Sequence, residues 1–189
     1  MRTTKLGTTQ SMNYDFSSLI VISEVNAAFL AFAVIVASIR VTSGEKLDAF
    51  QLLLVEFFAW TGMIAITIGL LPTVLWHFWP DEHKVASIVS WYSLAMLMGY
   101  LPYYLRRRAR TKATFSLMTA FTILGWFIWL LVLLMISLEY VWQPTLGIIS
   151  AYTLWCLFSS MMIFYSFLAS FLGVKRVIEE DDLDARRGK

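Results

Sequence analysis

Two carboxylates lie well inside apolar stretches of this 189-residue sequence, Glu24 in the first stretch and Glu56 in the second. Each stands about six residues, or ~9 Å along a helix, from the start of its stretch. A charged side chain at the centre of a bilayer costs about 2.5–3.5 kcal/mol, so such residues usually face protein or water. The two stretches cross the membrane in opposite directions, which places the carboxylates in opposite leaflets and argues against a Glu24–Glu56 pair.

The surroundings expected for Glu24 are Asn26 on the same stretch, the outer loop near His77, or Tyr152 on the fifth stretch. A buried ion pair or a hydrogen-bonded carboxylate would satisfy it structurally. The alternative is a place on a wet polar path through the membrane.

For Glu56 the expected partners are Arg40 at the end of the first stretch, the basic block at 106–112, and Ser166. A buried structural pair is one hypothesis. The other is a path for cations or protons, along which Ser159 and Ser166 would continue the polar lining on the fifth stretch.

A third polar group, His77, Asp81, Glu82 and His83, has side chains of the kind that bind metals. Pro80 prevents a continuous helix across His77 and Asp81, and the loop is solvated. We therefore predict no metal site there.

No catalytic signature is present: no Gly-x-Ser-x-Gly, His-Glu-x-x-His, phosphate-binding loop, dinucleotide fingerprint or Cys-x-x-Cys. Cys156 is the single cysteine, so one chain can build neither a disulfide nor a cysteine-based metal centre. The sequence thus indicates a protein that is not an enzyme and needs no cofactor.

The amino-acid composition indicates that much of the protein surface faces lipid and not water. The sequence is 59% hydrophobic with a mean hydropathy of +0.68, whereas soluble domains are about 45–50% apolar. The net charge of +2 excludes nucleic-acid binding by electrostatics. The expected partner is the lipid bilayer.

Five apolar stretches each reach the ~20 residues that span a bilayer. They predict an all-α integral membrane protein, a bundle of five transmembrane helices within residues 18–173. The predicted helices are about 18–40, 49–76, 85–105, 113–138 and 146–172, with Pro72 kinking or ending the second. Residues 1–17 are predicted to be a mobile tail and 174–189 a charged cytoplasmic tail.

The densest positive charge is a block between the third and fourth stretches, namely Arg106, Arg107, Arg108, Arg110 and Lys112. Placing it in a cytoplasmic loop puts twelve of the 15 Lys and Arg residues inside and three outside. The N-terminus is then out and the C-terminus in, across a plasma or inner membrane. The block could also contact anionic lipid head groups, although setting the topology is its simpler role.

Stripes of small residues predict where helices meet, because they let backbones approach closely in lipid. The second stretch carries Glu56, Ala59, Gly62, Ala65 and Gly69 on one face, so Gly62 and Gly69 should lie in a helix contact. The first stretch offers Ala27, Ala31 and Ser38, with Ala33 and Ala37 beside them. From Trp126 to Met135 the fourth is bulky and apolar on all sides, so its outer half should face lipid or a partner protein.

Two functions fit these features. One is a small channel or transport protein whose pore forms between the protomers of a homo-oligomer, since five helices enclose little volume. The other is a non-catalytic accessory or scaffolding subunit that docks onto a partner membrane protein through the fourth helix or the cytoplasmic tail.

Overall fold

The computed structural model describes residues 16–42, 49–110, 117–140 and 142–171, without the side chains of residues 40, 41, 49, 50, 170 and 171. These residues form five α-helices: α1 Ser17–Thr42, α2 Ala49–Phe78, α3 Glu82–Arg110, α4 Leu117–Ser137 and α5 Leu146–Phe171. All five are long and apolar enough to cross a membrane. The prediction of an all-α protein with five helices that could span a membrane is therefore confirmed. Residues 1–15, Lys112 and the tail 174–189 lie outside the described ranges.

Successive helices run antiparallel, as their cross-contacts show. Gly62 of α2 lies against Leu30 of α1, whereas Gly69, further along α2, lies against the earlier residue Ser23. The most extensive contact is between α2 and α5, which together form the centre of the bundle. Helix α1 packs on one side of this pair, and α3 packs on the other side together with α4.

Helix α3 is longer than the sequence predicts at both ends. Asp81 Oδ1 accepts the Lys84 backbone N–H at 3.3 Å and caps the first turn, which extends the helix back to Glu82. At the other end the helix continues through Arg110, so the prediction of a loop at 106–110 is wrong. Arginine is a good helix former, and its charge is stabilised at a helix C-terminus.

Neither proline inside a helix ends it. Helix α2 continues past Pro72 to Phe78, and α3 continues past Pro102 to Arg110. Prolines are tolerated in membrane helices because neighbouring helices and hydroxyl side chains satisfy the freed backbone groups. Of the two predicted alternatives, the one in which Pro72 ends the second helix is therefore wrong, and the predicted range 49–76 already extends beyond Pro72.

Two glycines make the closest helix contacts. A Cβ at Gly69 would collide with Ser23 Oγ and lie 3.1 Å from the Leu19 carbonyl of α1, which confirms that Gly62 and Gly69 face a neighbouring helix. A Cβ at Gly125 of α4 would overlap the Trp155 ring of α5. Both pairs of helices depend on the space that a missing side chain leaves.

Helix α1 turns Ala33 inward, beside the predicted stripe, but not the stripe itself. Leu19, Ser23, Asn26 and Ala33 are buried, whereas the stripe Ala27, Ala31 and Ser38 is exposed, meaning uncovered by the chain itself. The inward face is selected by Ser23, whose small side chain fits the space above Gly69.

The α4–α5 contact makes a direct prediction. Gly125→Ala should lower the free energy of unfolding by about 1–3 kcal/mol, because the rigid Trp155 indole must move. Gly99→Ala is the matched control: its Cβ meets nothing within 4 Å, so it should raise stability by about 0.5–1 kcal/mol through helix propensity. Thermal melting in detergent measures both, and an unchanged melting temperature for Gly125→Ala would contradict the packing.

Candidate functional site

Glu56 lies where α2 faces the last turns of α3, at the basic end of the bundle, the end that carries Arg106–Arg110. The Tyr103 hydroxyl donates a hydrogen bond to Glu56 Oε1, and Arg107 Nε lies 3.5 Å from Glu56 Oε2. The Glu56 side chain is 30% exposed and that of Arg107 is 50% exposed. The carboxylate thus has the cationic partner expected from the basic block, but at a half-open surface and not in a buried pair.

Below Glu56 the space between α2 and α3 is filled with aromatic rings. Phe57 makes edge contacts with the rings of Tyr100, Tyr103 and Tyr104, the closest at 4.3 Å between centroids. One turn deeper, the Thr61 and Tyr100 hydroxyls are 2.7 Å apart, and both residues are buried. The polar contacts at the basic end therefore stop at a packed core.

The core continues across the bundle through large side chains. Tyr100 packs against Trp126 of α4 with ring centroids 5.9 Å apart, and Trp126 packs against Tyr152 of α5 at 6.2 Å. Tyr152 is completely buried, and its hydroxyl has no hydrogen-bond partner among the described residues. These rings join three helices at mid-depth.

The arginines of the basic block have different surroundings. Arg108 is only 5% exposed; it donates to the Tyr104 hydroxyl at 3.2 Å and lies 3.5 Å from Thr119 Oγ1 of α4. Arg106 and Arg110 are exposed. Arg108 therefore links α3 to α4 and does not belong with the exposed lipid-contact candidates, whereas Arg106 and Arg110 remain candidates.

Glu24 is exposed on α1, although the sequence favoured a buried, paired carboxylate. Within the described part of the chain it has no hydrogen bond or ion pair. The expected neighbour Asn26 is 1% exposed and points to a different side, because residues two apart do not share a helix face. Among the described residues, therefore, Glu24 lacks the internal partner that the sequence favoured.

The remaining predicted site residues do not form one path. Asn26 Nδ2 donates to the Ile22 carbonyl at 3.0 Å, and Ser166 Oγ donates to the Met162 carbonyl at 2.9 Å. Ser159 is fully buried, and its hydroxyl has no partner among the described residues. The Arg40 side chain is outside the described set, so the proposed Arg40–Glu56 pair stays a prediction.

At the opposite end, short polar contacts join three helices. His83 Nε2 lies 3.3 Å from Glu139 Oε1, and Glu82 Oε1 accepts the Leu146 backbone N–H at 3.4 Å, at the start of α5. Glu139 has a positive φ of 53°, in a turn where the Tyr140 N–H donates to the Met135 carbonyl. Among the described residues no group of three or more His, Cys, Asp and Glu could hold a metal ion.

Tyr103 and the Thr61–Tyr100 contact are the site features that sequence reasoning missed. The three tyrosines at 100, 103 and 104 suggest only an interfacial aromatic belt. The alignment of the two helices could have revealed them. Because α2 and α3 are antiparallel and are joined by only three residues, 79–81, Glu56 lies at the same height as Tyr103.

The Glu56–Arg107 contact predicts a coupling. Glu56→Gln and Arg107→Gln should each lower stability slightly, and the double substitution should fall short of the sum by about 0.2–1 kcal/mol, as for other half-exposed pairs. Chemical unfolding in detergent measures this cycle. The same cycle with Arg106 in place of Arg107 is the control and should show additivity; equal coupling to both arginines would contradict the assignment.

Comparisons of the chain with protein-family models, with curated proteins and with solved structures find no match.

Proposed function

We propose that this chain is a non-catalytic accessory or scaffolding subunit of a membrane complex, docked through the outer face of α1 onto a helix of a partner membrane protein. The observation that carries the proposal is Glu24, an exposed carboxylate seven residues, or ~10 Å, inside the apolar span that starts at Ser17. A carboxylate at that depth is costly against lipid and is stabilised by a protein partner.

The packing of the interior supports docking over an ion path through one protomer. Large aromatic side chains are buried among α2, α3, α4 and α5: Phe57, Tyr100, Trp126 and Tyr152. A pore between protomers would instead need polar groups on the outer surface. Ser159, one of the predicted pore-lining residues, is buried within the chain and is turned away from such a surface.

The exposed faces of α1 and α4 differ in chemistry. On α4 the exposed side chains are bulky and apolar, as lipid requires: Phe121, Leu124, Phe127, Ile128, Leu131, Leu134 and Met135. The exposed surface of α1 also holds large apolar side chains, among them Val34 and Ile35. It differs from α4 in one row, where Ala27, Ala31 and Ser38 follow Glu24 at steps of three, four and seven residues. Small residues beside a polar group are the composition of helix–helix interfaces in membranes.

Charge complementarity identifies the partner's chemistry. Two copies of this chain paired through α1 by a twofold axis would bring Glu24 close to its own counterpart, and two like charges oppose each other. A helix that carries Lys, Arg or His at the matching depth would neutralise Glu24. We therefore assign the face to a different membrane protein with such a residue.

We also propose an orientation of the chain in the membrane. With the basic end inside, twelve of the 15 Lys and Arg residues lie on the inner side, which supports an N-terminus outside and a C-terminus inside a plasma or inner membrane. Glu24 is then in the outer leaflet, and so is its proposed cationic partner.

Photo-crosslinking in the host membrane tests the proposal. A photoreactive amino acid at Ala31 should form one main adduct, and mass spectrometry of the joined peptides should identify a membrane helix with Lys, Arg or His. Glu24→Gln in the same chain should lower the yield about tenfold, the effect of losing about 1.4 kcal/mol of binding free energy.

The same photoreactive group at Leu131, on the exposed face of α4, is the control for position and should give no protein adduct. Glu56→Gln is the control for charge removal and should leave the Ala31 adduct unchanged. An adduct between two copies of this chain, or a yield that is insensitive to Glu24→Gln, would contradict docking and favour the oligomeric channel.

A further inference from the structure

We infer that the end of α3 binds the phosphate group of an anionic lipid, with Arg106 and Arg110 as the two residues that hold it. This inference is independent of docking through α1, which concerns another helix and the opposite leaflet. It starts from the different surroundings of four arginines within five residues.

Two of the four arginines are engaged by the protein. Arg107 pairs with Glu56 at 3.5 Å, and Arg108 is buried against Tyr104 and Thr119 of α4. Arg106 and Arg110 are exposed, and the described residues supply no carboxylate to either. Because no described residue pairs with Arg106 or Arg110, the two arginines are a defined pair and not a diffuse basic patch.

The spacing of this pair suits one phosphate. Residues four apart lie on the same helix face, with Cβ atoms about 5–6 Å apart. Guanidinium groups bind phosphate oxygens in a bidentate manner, and two groups one turn apart can share one phosphate. Because α3 is helical through Arg110, this geometry is held by the backbone and does not require a loop to order on binding.

The depth matches a lipid head group. Tyr103 is 43% exposed and precedes Arg106 by about one turn; exposed tyrosines of membrane helices lie at the boundary between hydrocarbon and head groups. Arg106 and Arg110 follow in the direction of the solvent, where the phosphates of the lipid lie. A phosphate held at this depth belongs to a molecule whose acyl chains lie beside α3.

The relative strengths of the charges favour binding. The C-terminal end of a helix carries partial negative charge and weakens anion binding by about two- to fivefold. Each surface arginine strengthens attraction to an anionic membrane by about fivefold. Two arginines together, at about 25-fold, therefore outweigh the helix end. Glu56 does not reverse this balance, because its charge is offset by Arg107.

Native mass spectrometry of the purified full chain in neutral detergent tests the site. The probes are phosphatidylglycerol and phosphatidylcholine with identical acyl chains, and the measured quantity is the ratio of their binding constants. The wild-type chain should prefer phosphatidylglycerol, and the double variant Arg106→Gln/Arg110→Gln should reduce that preference about 25-fold. A double variant that keeps the wild-type preference would overturn the inference.

Two variants control for charge and for folding. Lys84→Gln removes an exposed cation at the opposite end of the bundle and should leave the preference unchanged. The double variant Glu56→Gln/Arg107→Gln removes an ion pair without changing the net charge, so it should alter the preference less than either Arg106→Gln or Arg110→Gln. If it has the largest effect, the assignment of the two residues is wrong.

A competition experiment distinguishes a lipid-binding site from a site for free phosphate. A millimolar excess of inorganic phosphate should not release bound phosphatidylglycerol, since the acyl chains add to its affinity. Release would overturn the lipid assignment and identify a site for soluble phosphate. Because both substituted arginines are exposed, the double variant should melt at the same temperature as Lys84→Gln. Equal melting temperatures would show that a lower preference for phosphatidylglycerol results from lost binding and not from lost folding.

Discussion

A side chain that can form hydrogen bonds has no water to bond to in the hydrocarbon core of a bilayer, so the protein must supply its partner. Some hydroxyl side chains of this bundle meet that constraint within their own helix, whereas the buried hydroxyls of Ser90, Tyr152 and Ser159 have no partner among the described residues. Thr61, Thr122, Thr153 and Ser160 each donate to the carbonyl four residues earlier in the same helix. Charged groups instead need partners from a second helix, and this need determines where they lie.

At the basic end the constraint is met by pairs between helices. Glu56 of α2 takes Tyr103 and Arg107 from α3, and Arg108 of α3 reaches Thr119 of α4. These contacts join three consecutive helices at one level. Glu24 is the exception: it lies deep in α1, faces outward and has no partner in the described part of the chain. The contrast between Glu56 and Glu24 is the basis for placing a partner protein on α1.

The number of helices and their approximate positions could be predicted from the sequence because each span is a long apolar run. The inward face of α1 could not, because Ala27–Ala31 and Ser23–Asn26 are both small or polar stripes; the choice depends on Ser23 fitting against Gly69. The full length of α3 was missed because a charged run was equated with a loop. The sequence predicted that Glu56 would pair with the basic block. It could not predict that the partners are Arg107 and Tyr103, because this depends on how α2 and α3 are aligned.

The most direct measurement is the accessibility of a spin label at Ala27, one turn from Glu24 on the outer face of α1. Oxygen, which concentrates in hydrocarbon, and a water-soluble nickel chelate report whether the label faces lipid, protein or water. In the purified chain in nanodiscs the label should be highly accessible to oxygen. In native host membranes its oxygen accessibility should fall as the partner helix covers the face, and equal values in the two settings would contradict the account.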